Sequence, residues 1–169
     1  KQLLYKDSDD HWYLDMTDAA NRLLDEIYNN NIEIILESGR NTLIHYLKNI
    51  QPWCISRDIR WGHKMPNDDR YVLDTWFSSS LWVFATLGWG NDNADDFDKF
   101  FPADMLETGD DIIFFWCARM LMMGLILTDR LCFSRIYLHG LILDSKGRKM
   151  SKSLGNGIDP IEIIEEYGC

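Results

Sequence analysis

A long apolar run in the second half of the sequence restricts the fold more than any other feature. From Ile112 to Thr128 nearly every position is apolar, three methionines lie in its middle, and Arg119 interrupts it. The run is short for a bilayer span and carries that charge, so it predicts a helix buried on most faces. Thr108 or Asp110 is placed to cap it, where carboxylates suit the positive end of the helix dipole.

Other elements follow from hydrophobic periodicity and turn residues. The aromatic segment His11–Met16 predicts a strand, and apolar residues at helical spacing after an N-cap at Thr17 predict a helix up to Asn29. Further predicted elements are a strand at Ile32–Leu36, a turn at Ser38–Gly39, a helix over Leu43–Ile50, a strand at Arg135–Gly140, a hairpin at Leu141–Arg148, and a helix at Pro160–Tyr167 capped by Asp159.

Composition excludes several classes of protein. The chain of 169 residues is long enough for one domain with a real core, and its net charge of -10 argues against a surface built broadly for nucleic acid. The four cysteines show no Cys-x-x-Cys or zinc spacing, so we expect reduced, mostly buried thiols and no protein-bound metal. The acidic stretch Asn91–Asp98 lacks the register of an EF-hand and predicts a surface loop. No signal peptide is visible, and the opening without Met suggests a fragment.

A cationic loop near the end of the sequence carries the clearest chemical signal. Gly147–Asn156 reads Gly-Arg-Lys-Met-Ser-Lys-Ser-Leu-Gly-Asn, with three cations in its first six positions and small, turn-forming residues after them. Ammonium groups on such a loop suit a multiply charged anion such as a nucleoside triphosphate. A bare run of Lys and Arg is more often a solvated surface, but the order Lys-Met-Ser-Lys-Ser at Lys149–Ser153 is far more specific. We call these five residues the signature loop.

Four further segments have bland explanations when each is taken alone. Trp53–Pro66 fits a strand and a turn with a Trp anchor, and the serines of Leu73–Ser80 fit helix capping by Ser or Asp better than a nucleophile. The aspartates of Thr108–Trp116 fit helix caps, and His139, before Gly140, fits a turn residue at the end of a strand.

Together with the signature loop, these segments resemble the class I aminoacyl-tRNA synthetases, and within them the valyl branch of the valyl, isoleucyl and leucyl subgroup. The matching motifs are Trp-Cys-Ile-Ser-Arg, Leu-Asp-Thr-Trp-Phe-Ser-Ser, Thr-Gly-x-Asp-Ile-Ile-Phe-Phe-Trp, and His-Gly followed by Lys-Met-Ser-Lys-Ser. One departure is the short stretch Asn67–Arg70, where the family has a longer connection.

The resemblance implies an α/β fold, the second half of a class I Rossmann-type nucleotide-binding domain with a parallel sheet and helices. Residues 1–50 are then a small α+β stem adjoining the editing insertion. Residues 51–169 are the second half of the catalytic domain, ending just after the signature loop. The implied activity is that of a valine–tRNA ligase, which activates valine with ATP to valyl-adenylate and transfers valine to the 3′ end of its tRNA.

The resemblance also implies the roles of individual residues. Lys149 and Lys152 are the expected catalytic residues, which stabilise the triphosphate, with Mg²⁺ entering together with ATP. The expected ATP-binding residues are His139, Gly140, Lys149, Met150, Ser151, Lys152 and Ser153. The expected adenylate and amino-acid pocket consists of Trp76, Gly109, Asp111 and Trp116.

The second class I signature, His-Ile-Gly-His, is absent from these 169 residues, and Gly62-His63 is not a version of it. We therefore expect the isolated chain to be inactive, with valine, ATP and the tRNA acceptor end as partners of a larger cytoplasmic protein and with no membrane or DNA partner. Two alternatives stay open: an isoleucyl or leucyl sibling, and a non-catalytic synthetase-like module that binds tRNA or nucleotide.

Overall fold

The computed structural model describes residues 3–66, 68–91 and 95–169. The chain divides into two compact units, of which the first ends at His139 and the second is Gly140–Cys169. Helices described in the first unit are α1 (Thr17–Tyr28), α2 (Glu37–Lys48), α3 (Thr75–Ser80), α4 (Trp82–Thr86), α5 (Asp95–Phe100) and α6 (Arg119–Leu127). The strands are β1 (Leu4–Lys6), β2 (Trp12–Leu14), β3 (Glu33–Ile35), β4 (Trp53–Cys54), β5 (Ser56–Arg57), β6 (Lys64–Met65), β7 (Asp68–Leu73), β8 (Ala103–Gly109) and β9 (Phe133–His139). The second unit contains α7 (Pro160–Tyr167).

A parallel sheet with strand order β3-β9-β8 is the centre of the first unit. Two antiparallel sheets, β1-β2-β4 and β5-β7-β6, complete the sheets of the described residues. Helices α1 and α2 pack on each other, and α1 also packs on α6. The parallel sheet with its packed helices confirms the predicted α/β class.

The central buried helix is present, but it begins later than the sequence suggested. Thr108 lies inside β8, and Gly109 occupies the position before a 3-10 turn at Asp110–Ile112 and a π-helical turn at Ile113–Ala118. Only then does α6 begin, and its residues from Arg119 to Leu125 are all buried. The prediction of a cap at Thr108 is wrong because that residue's backbone pairs with β9 instead.

Two corrections concern helix starts. Helix α2 begins at Glu37, so the predicted turn at Ser38–Gly39 lies inside the helix. Glycine suits this position because a Cβ on Gly39 would lie 2.2 Å from Cδ1 of Leu138, so its absence lets α2 approach the sheet. The prediction of an N-cap at Thr17 is wrong by one position, because Met16 is the N-cap residue and Thr17 is the first residue of α1. Asp15 Oδ1 accepts from the Thr17 N–H at 3.1 Å.

The loop predicted at Asn91–Asp98 is partly a helix. Residues 92–94 lie outside the described residues, and α5 begins at Asp95, so the prediction is wrong for its last four positions. Phe97 on α5 stacks on buried Phe101 at a centroid distance of 4.6 Å, and the carboxylates of its first turn suit the helix dipole.

In the second unit, the predicted hairpin at Leu141–Arg148 reduces to a single bridge between Leu143 and Lys149. The prediction for α7 is confirmed, because the Asp159 side chain accepts from the N–H of Ile161 at 2.9 Å and Pro160 opens the helix. We predicted a boundary at residue 50, whereas the structure divides after His139. Strand β3 comes from the first fifty residues and pairs with β9, so both belong to the first unit. The stem interpretation of residues 1–50 stays a prediction about a longer protein.

The cysteines are free, and two of the four are fully buried. Burial raises the pKa of the Cys117 and Cys132 thiols to about 12, so both stay protonated at neutral pH. Among the described helices, none combines the length and apolar character needed to cross a membrane.

Gly124 on α6 provides a test of this packing. A Cβ at Gly124 would lie 2.7 Å from both the Arg130 carbonyl oxygen and the Cys132 sulfur. The backbone oxygen cannot move aside cheaply, so Gly124→Ala should destabilise the protein by about 1–3 kcal/mol although Ala is the better helix former. Thermal unfolding followed by circular dichroism measures this, with Gly157→Ala, which meets nothing within 4 Å, as the control. Equal melting temperatures for the two variants would show that α6 does not pack this closely.

Candidate functional site

The ends of two parallel strands bring together the first group of candidate residues. Gly109 at the end of β8 pairs directly with His139 at the end of β9. Asp111 follows in the 3-10 turn immediately after β8 and is exposed. Because ligands of open α/β sheets bind outside the carboxyl ends of the strands, this edge suits a bound nucleotide or adenylate.

Glu107 is a neighbour of this edge that the sequence did not single out. Its Oε1 lies 3.9 Å from Nε2 of His139, and both side chains are about half exposed. The two residues lie on adjacent strands, where Glu107 pairs with Tyr137. Only the register between β8 and β9 reveals the contact, so no local sequence signal could have found it.

Trp76 and Trp116 lie on two elements that pack against each other, α3 and the π-helical turn. Trp76 stacks on Phe115 with ring centroids 5.6 Å apart and planes at 26°. The Nε1–H of Trp116 donates to the Ser79 carbonyl at 3.0 Å, and its ring meets the edge of Trp82. Two flat, fixed indoles of this kind can wall a pocket for a small apolar side chain.

A buried charged cluster lies directly behind these aromatic rings. We call it the Asp74 cluster, and it consists of Asp74, Trp53, Arg57 and Arg119. Asp74 is 6% exposed and accepts from Trp53 Nε1 at 3.0 Å, while Arg57 Nη2 lies 3.1 Å from its other oxygen. The sequence suggested that Asp74 caps α3, but its side chain makes no capping hydrogen bond. It instead joins β4, β5 and α6 to the start of α3.

Arg119 completes the Asp74 cluster from α6. Its guanidinium stacks over the Trp53 ring at 4.0 Å and lies 5.4 Å from the rings of Phe114 and Phe115. Nη1 is 3.9 Å from Asp74 Oδ2 and makes no hydrogen bond with any described residue. Burial lowers the pKa of Arg119 to about 10, against the opposing effect of the Asp74 charge, so the group stays charged at neutral pH.

The Asp74 cluster fixes the elements that carry both candidate tryptophans. Asp74 precedes Trp76 by two positions, and Arg119 follows Trp116 by one helical turn. Phe115 contacts the Arg119 guanidinium on one side and Trp76 on the other. The only sequence signal of this arrangement was a single charge inside an apolar run.

A cleft of about 370 Å³ opens beside the Asp74 cluster, lined in part by Trp53, Arg57 and Arg119 of the cluster and by Tyr46 and Phe114. The described lining residues do not include Trp76, Trp116, Gly109 or Asp111. The cleft is therefore distinct from the predicted amino-acid pocket. Among the described residues, no three His, Cys, Asp or Glu side chains converge as a metal site would require.

The signature loop belongs to the second unit, as does Gly140. Lys149, Lys152 and Ser153 are exposed, and Met150 and Ser151 are half-buried. Ser151 Oγ accepts from the Leu154 N–H at 3.2 Å, which turns the chain back after the second lysine. The loop therefore places two lysines at exposed positions, which suits a polyanion.

A family model described as "tRNA synthetases class I (I, L, M and V)" matches residues 4–68 and 67–169. The chain belongs to this family. Similar curated relatives are a valine–tRNA ligase, chloroplastic/mitochondrial 2, from Arabidopsis thaliana and valine–tRNA ligases from Symbiobacterium thermophilum and Bacillus cereus. They are 44%, 43% and 43% identical and cover 93%, 93% and 94% of this chain.

Solved structures agree with the family. Methionyl-tRNA synthetase of Mycobacterium tuberculosis in complex with methionyl-adenylate is similar with a TM-score of 0.78 and 29% identity, covering 94% of this chain and 31% of that one. A second structure of that enzyme, bound by methionyl-adenylate, has a TM-score of 0.77 and a sequence identity of 28%, with the same coverage of both chains.

The chain spans only about a fifth of the length of the three curated relatives. The alignments run over 183 to 193 residues, more than the 169 of this chain, so the relatives carry residues for which it has no counterpart. The family match also breaks at residues 67–68, inside the short stretch Asn67–Arg70 noted in the sequence.

The Asp74 cluster makes an unequal prediction for its two charged ends. Asp74→Asn leaves the buried Arg119 guanidinium without its carboxylate and should cost about 3 kcal/mol, as removing one partner of a buried ion pair does, whereas Arg57 is partly exposed to solvent. Arg119→Met should cost less, because Asp74 keeps Arg57 and Trp53. Urea unfolding followed by tryptophan fluorescence measures both. Asp69→Asn is the control, since its pair with Lys64 is exposed and should contribute at most about 1 kcal/mol. Equal decreases in the free energy of unfolding for all three variants would contradict the roles assigned to Asp74 and Arg119.

Proposed function

We propose that this chain supplies the second half of the catalytic domain of a valine–tRNA ligase. The observation that carries the proposal is the identity of 43–44% to three valine–tRNA ligases across more than nine-tenths of this chain. That span includes both candidate tryptophans and the signature loop. The geometry supports it, because the aromatic residues and the strand ends occupy elements suited to an amino acid and a nucleotide.

The reaction has two steps. First, a carboxylate oxygen of valine attacks the α-phosphorus of ATP, and pyrophosphate leaves, which gives valyl-adenylate. Then a ribose hydroxyl at the tRNA 3′ end attacks the carbonyl carbon of valyl-adenylate, and AMP leaves. The protein's main contributions to such a transfer are to position the reactants and stabilise charge.

We assign the residues of this chain as follows. Lys149 and Lys152 neutralise the phosphate oxygens as negative charge develops on the departing pyrophosphate. Trp76 and Trp116 wall the valine side chain, and the Asp111 carboxylate receives its ammonium group. Gly109, His139, Gly140, Met150, Ser151 and Ser153 contact the adenylate or the nucleotide. Mg²⁺ enters as the complex with ATP and balances phosphate charge.

The acceptor end of tRNA is the remaining substrate. The net charge of -10 makes this chain a poor general surface for a polynucleotide, so we assign most tRNA contacts to other parts of the longer protein. A cytoplasmic location remains part of the proposal.

The first test uses the product of the complete reading frame. Valine-dependent ATP–pyrophosphate exchange should be observed and should exceed exchange with isoleucine or leucine. Lys152→Ala should lower its kcat by about 100-fold with little change in the KM for valine, because the lysine acts on the triphosphate. Lys146→Ala, an exposed lysine before the signature loop, is the matched control and should retain activity. Exchange that responds to isoleucine would favour the sibling enzyme, and no exchange with any amino acid would favour a non-catalytic module.

The second test concerns the chain alone. Residues 1–169 contain no His-Ile-Gly-His sequence, so they should show no valine-dependent exchange under conditions in which the longer protein is active. Detectable exchange by the isolated chain would refute the assignment of a half site.

A further inference from the structure

Asp144 is the most heavily bonded side chain around the signature loop. Its Oδ1 accepts from the backbone N–H groups of Lys146 at 2.9 Å and Arg148 at 2.8 Å. Its Oδ2 accepts from Nε and Nη2 of Arg148 and from Nδ2 of Asn156, each at 2.9 Å. The Asp144 side chain is only 10% exposed in a stretch whose neighbours are nearly all exposed.

Asn156 completes the arrangement from the other end of the loop. Its Nδ2 donates to Asp144, and its Oδ1 accepts from the backbone N–H of Ser151 at 2.9 Å. The Asn156 side chain thus bonds Asp144, which precedes the signature loop, and Ser151, which lies in its middle. We call this contact the Asp144–Asn156 clasp, and it encloses Lys149 and Lys152.

The segment Gly147–Asn156 contains three cations, and the clasp contacts the side chain of one of them, Arg148. The Arg148 guanidinium is held against Asp144, so its charge is already balanced. Lys149 and Lys152 lie at exposed positions of the same loop. The amide of Asn156 and the N–H of Arg148 lower the pKa of Asp144 to about 2, so the carboxylate that holds the clasp is ionised at neutral pH.

We propose that Asp144 and Asn156 are positioning residues that hold the signature loop in the form in which Lys149 and Lys152 receive the phosphates of ATP. This rests on the proposed function. The physical reason is preorganisation: a loop of this length has many conformations, and ordering it upon each binding event would oppose the interaction of its ammonium groups with phosphate. Neither residue touches ATP in this role.

An exchange of the two side chains tests the clasp directly. Asn156→Asp places two carboxylates against each other, and Asp144→Asn removes the charge that holds Arg148 and the loop amides. In the double variant Asp144→Asn/Asn156→Asp, the new amide at 144 can donate to the new carboxylate at 156, which still accepts from Ser151. The double variant loses the contacts from the Arg148 guanidinium and the longer bond, 3.4 Å, that Asn156 Nδ2 donates to the Lys149 carbonyl.

The first readout is valine-dependent ATP–pyrophosphate exchange by the product of the complete reading frame. Each single variant should lower kcat at least tenfold and leave the KM for valine within twofold of the parent. The double variant should recover to within about fivefold of the parent kcat. Asp159→Ala, which removes the side-chain cap of α7 in the same unit, is the control and should keep the parent kcat.

The second readout needs no activity. Limited trypsin digestion, with mass spectrometry of the products, reports how fast the chain is cut after Lys149 and Lys152. Cleavage should be faster in both single variants and return towards the parent rate in the double variant. A double variant no better than the singles in both readouts, or singles that match the parent in both, would overturn the clasp. If the parent shows no exchange, the proposed function fails, and the digestion rates still decide whether the clasp orders the loop.

Discussion

The parallel pairing of β8 with β9 is the interaction on which the rest of the first unit depends. Six residue pairs, from Ala103 with Phe133 to Gly109 with His139, fix the register of the two strands. A shift by one residue would turn buried Ile136 and Leu138 towards solvent, so burial and register reinforce each other. The same register places Gly109 beside His139, and it delivers the chain from β8 into the turns that carry Asp111 and Trp116.

Charge is buried where this framework meets the candidate amino-acid pocket. An apolar contact between α6 and α3 could slide, whereas the Asp74 cluster has directional bonds from Trp53 and Arg57 and a guanidinium stacked at 4.0 Å. Burying the Arg119 guanidinium opposes stability because the charge loses its hydration, and the same burial lowers its pKa. What the cluster provides is a fixed position for the pocket rings, because Phe115 contacts the Arg119 guanidinium and stacks on Trp76.

The sequence predicted those elements whose structure depends on interactions between neighbouring residues. Helix α7 has the bounds expected from Asp159, Pro160 and Gly168, because a cap and a stop act within one turn. The sequence did not predict strand β8, because only two of its seven residues are buried and two carry carboxylates, and pairing with the distant β9 makes it a strand. Motif spelling was sufficient to predict Lys149 and Lys152 as candidates. It could not predict the Asp74 cluster or the partners of Asp144, which depend on contacts across the fold or between loop backbone and side chains.

The position at which the family match breaks can vary in length without disturbing the candidate site. The family match breaks at residues 67–68, and on either side Met65 pairs with Asp68 across β6 and β7. Asp68 is held by Arg70 at 2.8 Å and by Trp12 Nε1 at 3.1 Å, and the Arg70 guanidinium keeps the pKa of that carboxyl well below its usual range. The Trp12 bond, together with an ion pair between Arg70 and Asp10 at 2.6 Å, fastens the start of β7 to the β1–β2 hairpin. The strand end that leads into Asp74 and Trp76 is fixed separately, by pairing of Leu73 with Ser56. A change of length before Asp68 is therefore absorbed at one end of β7, while the pocket depends on the other.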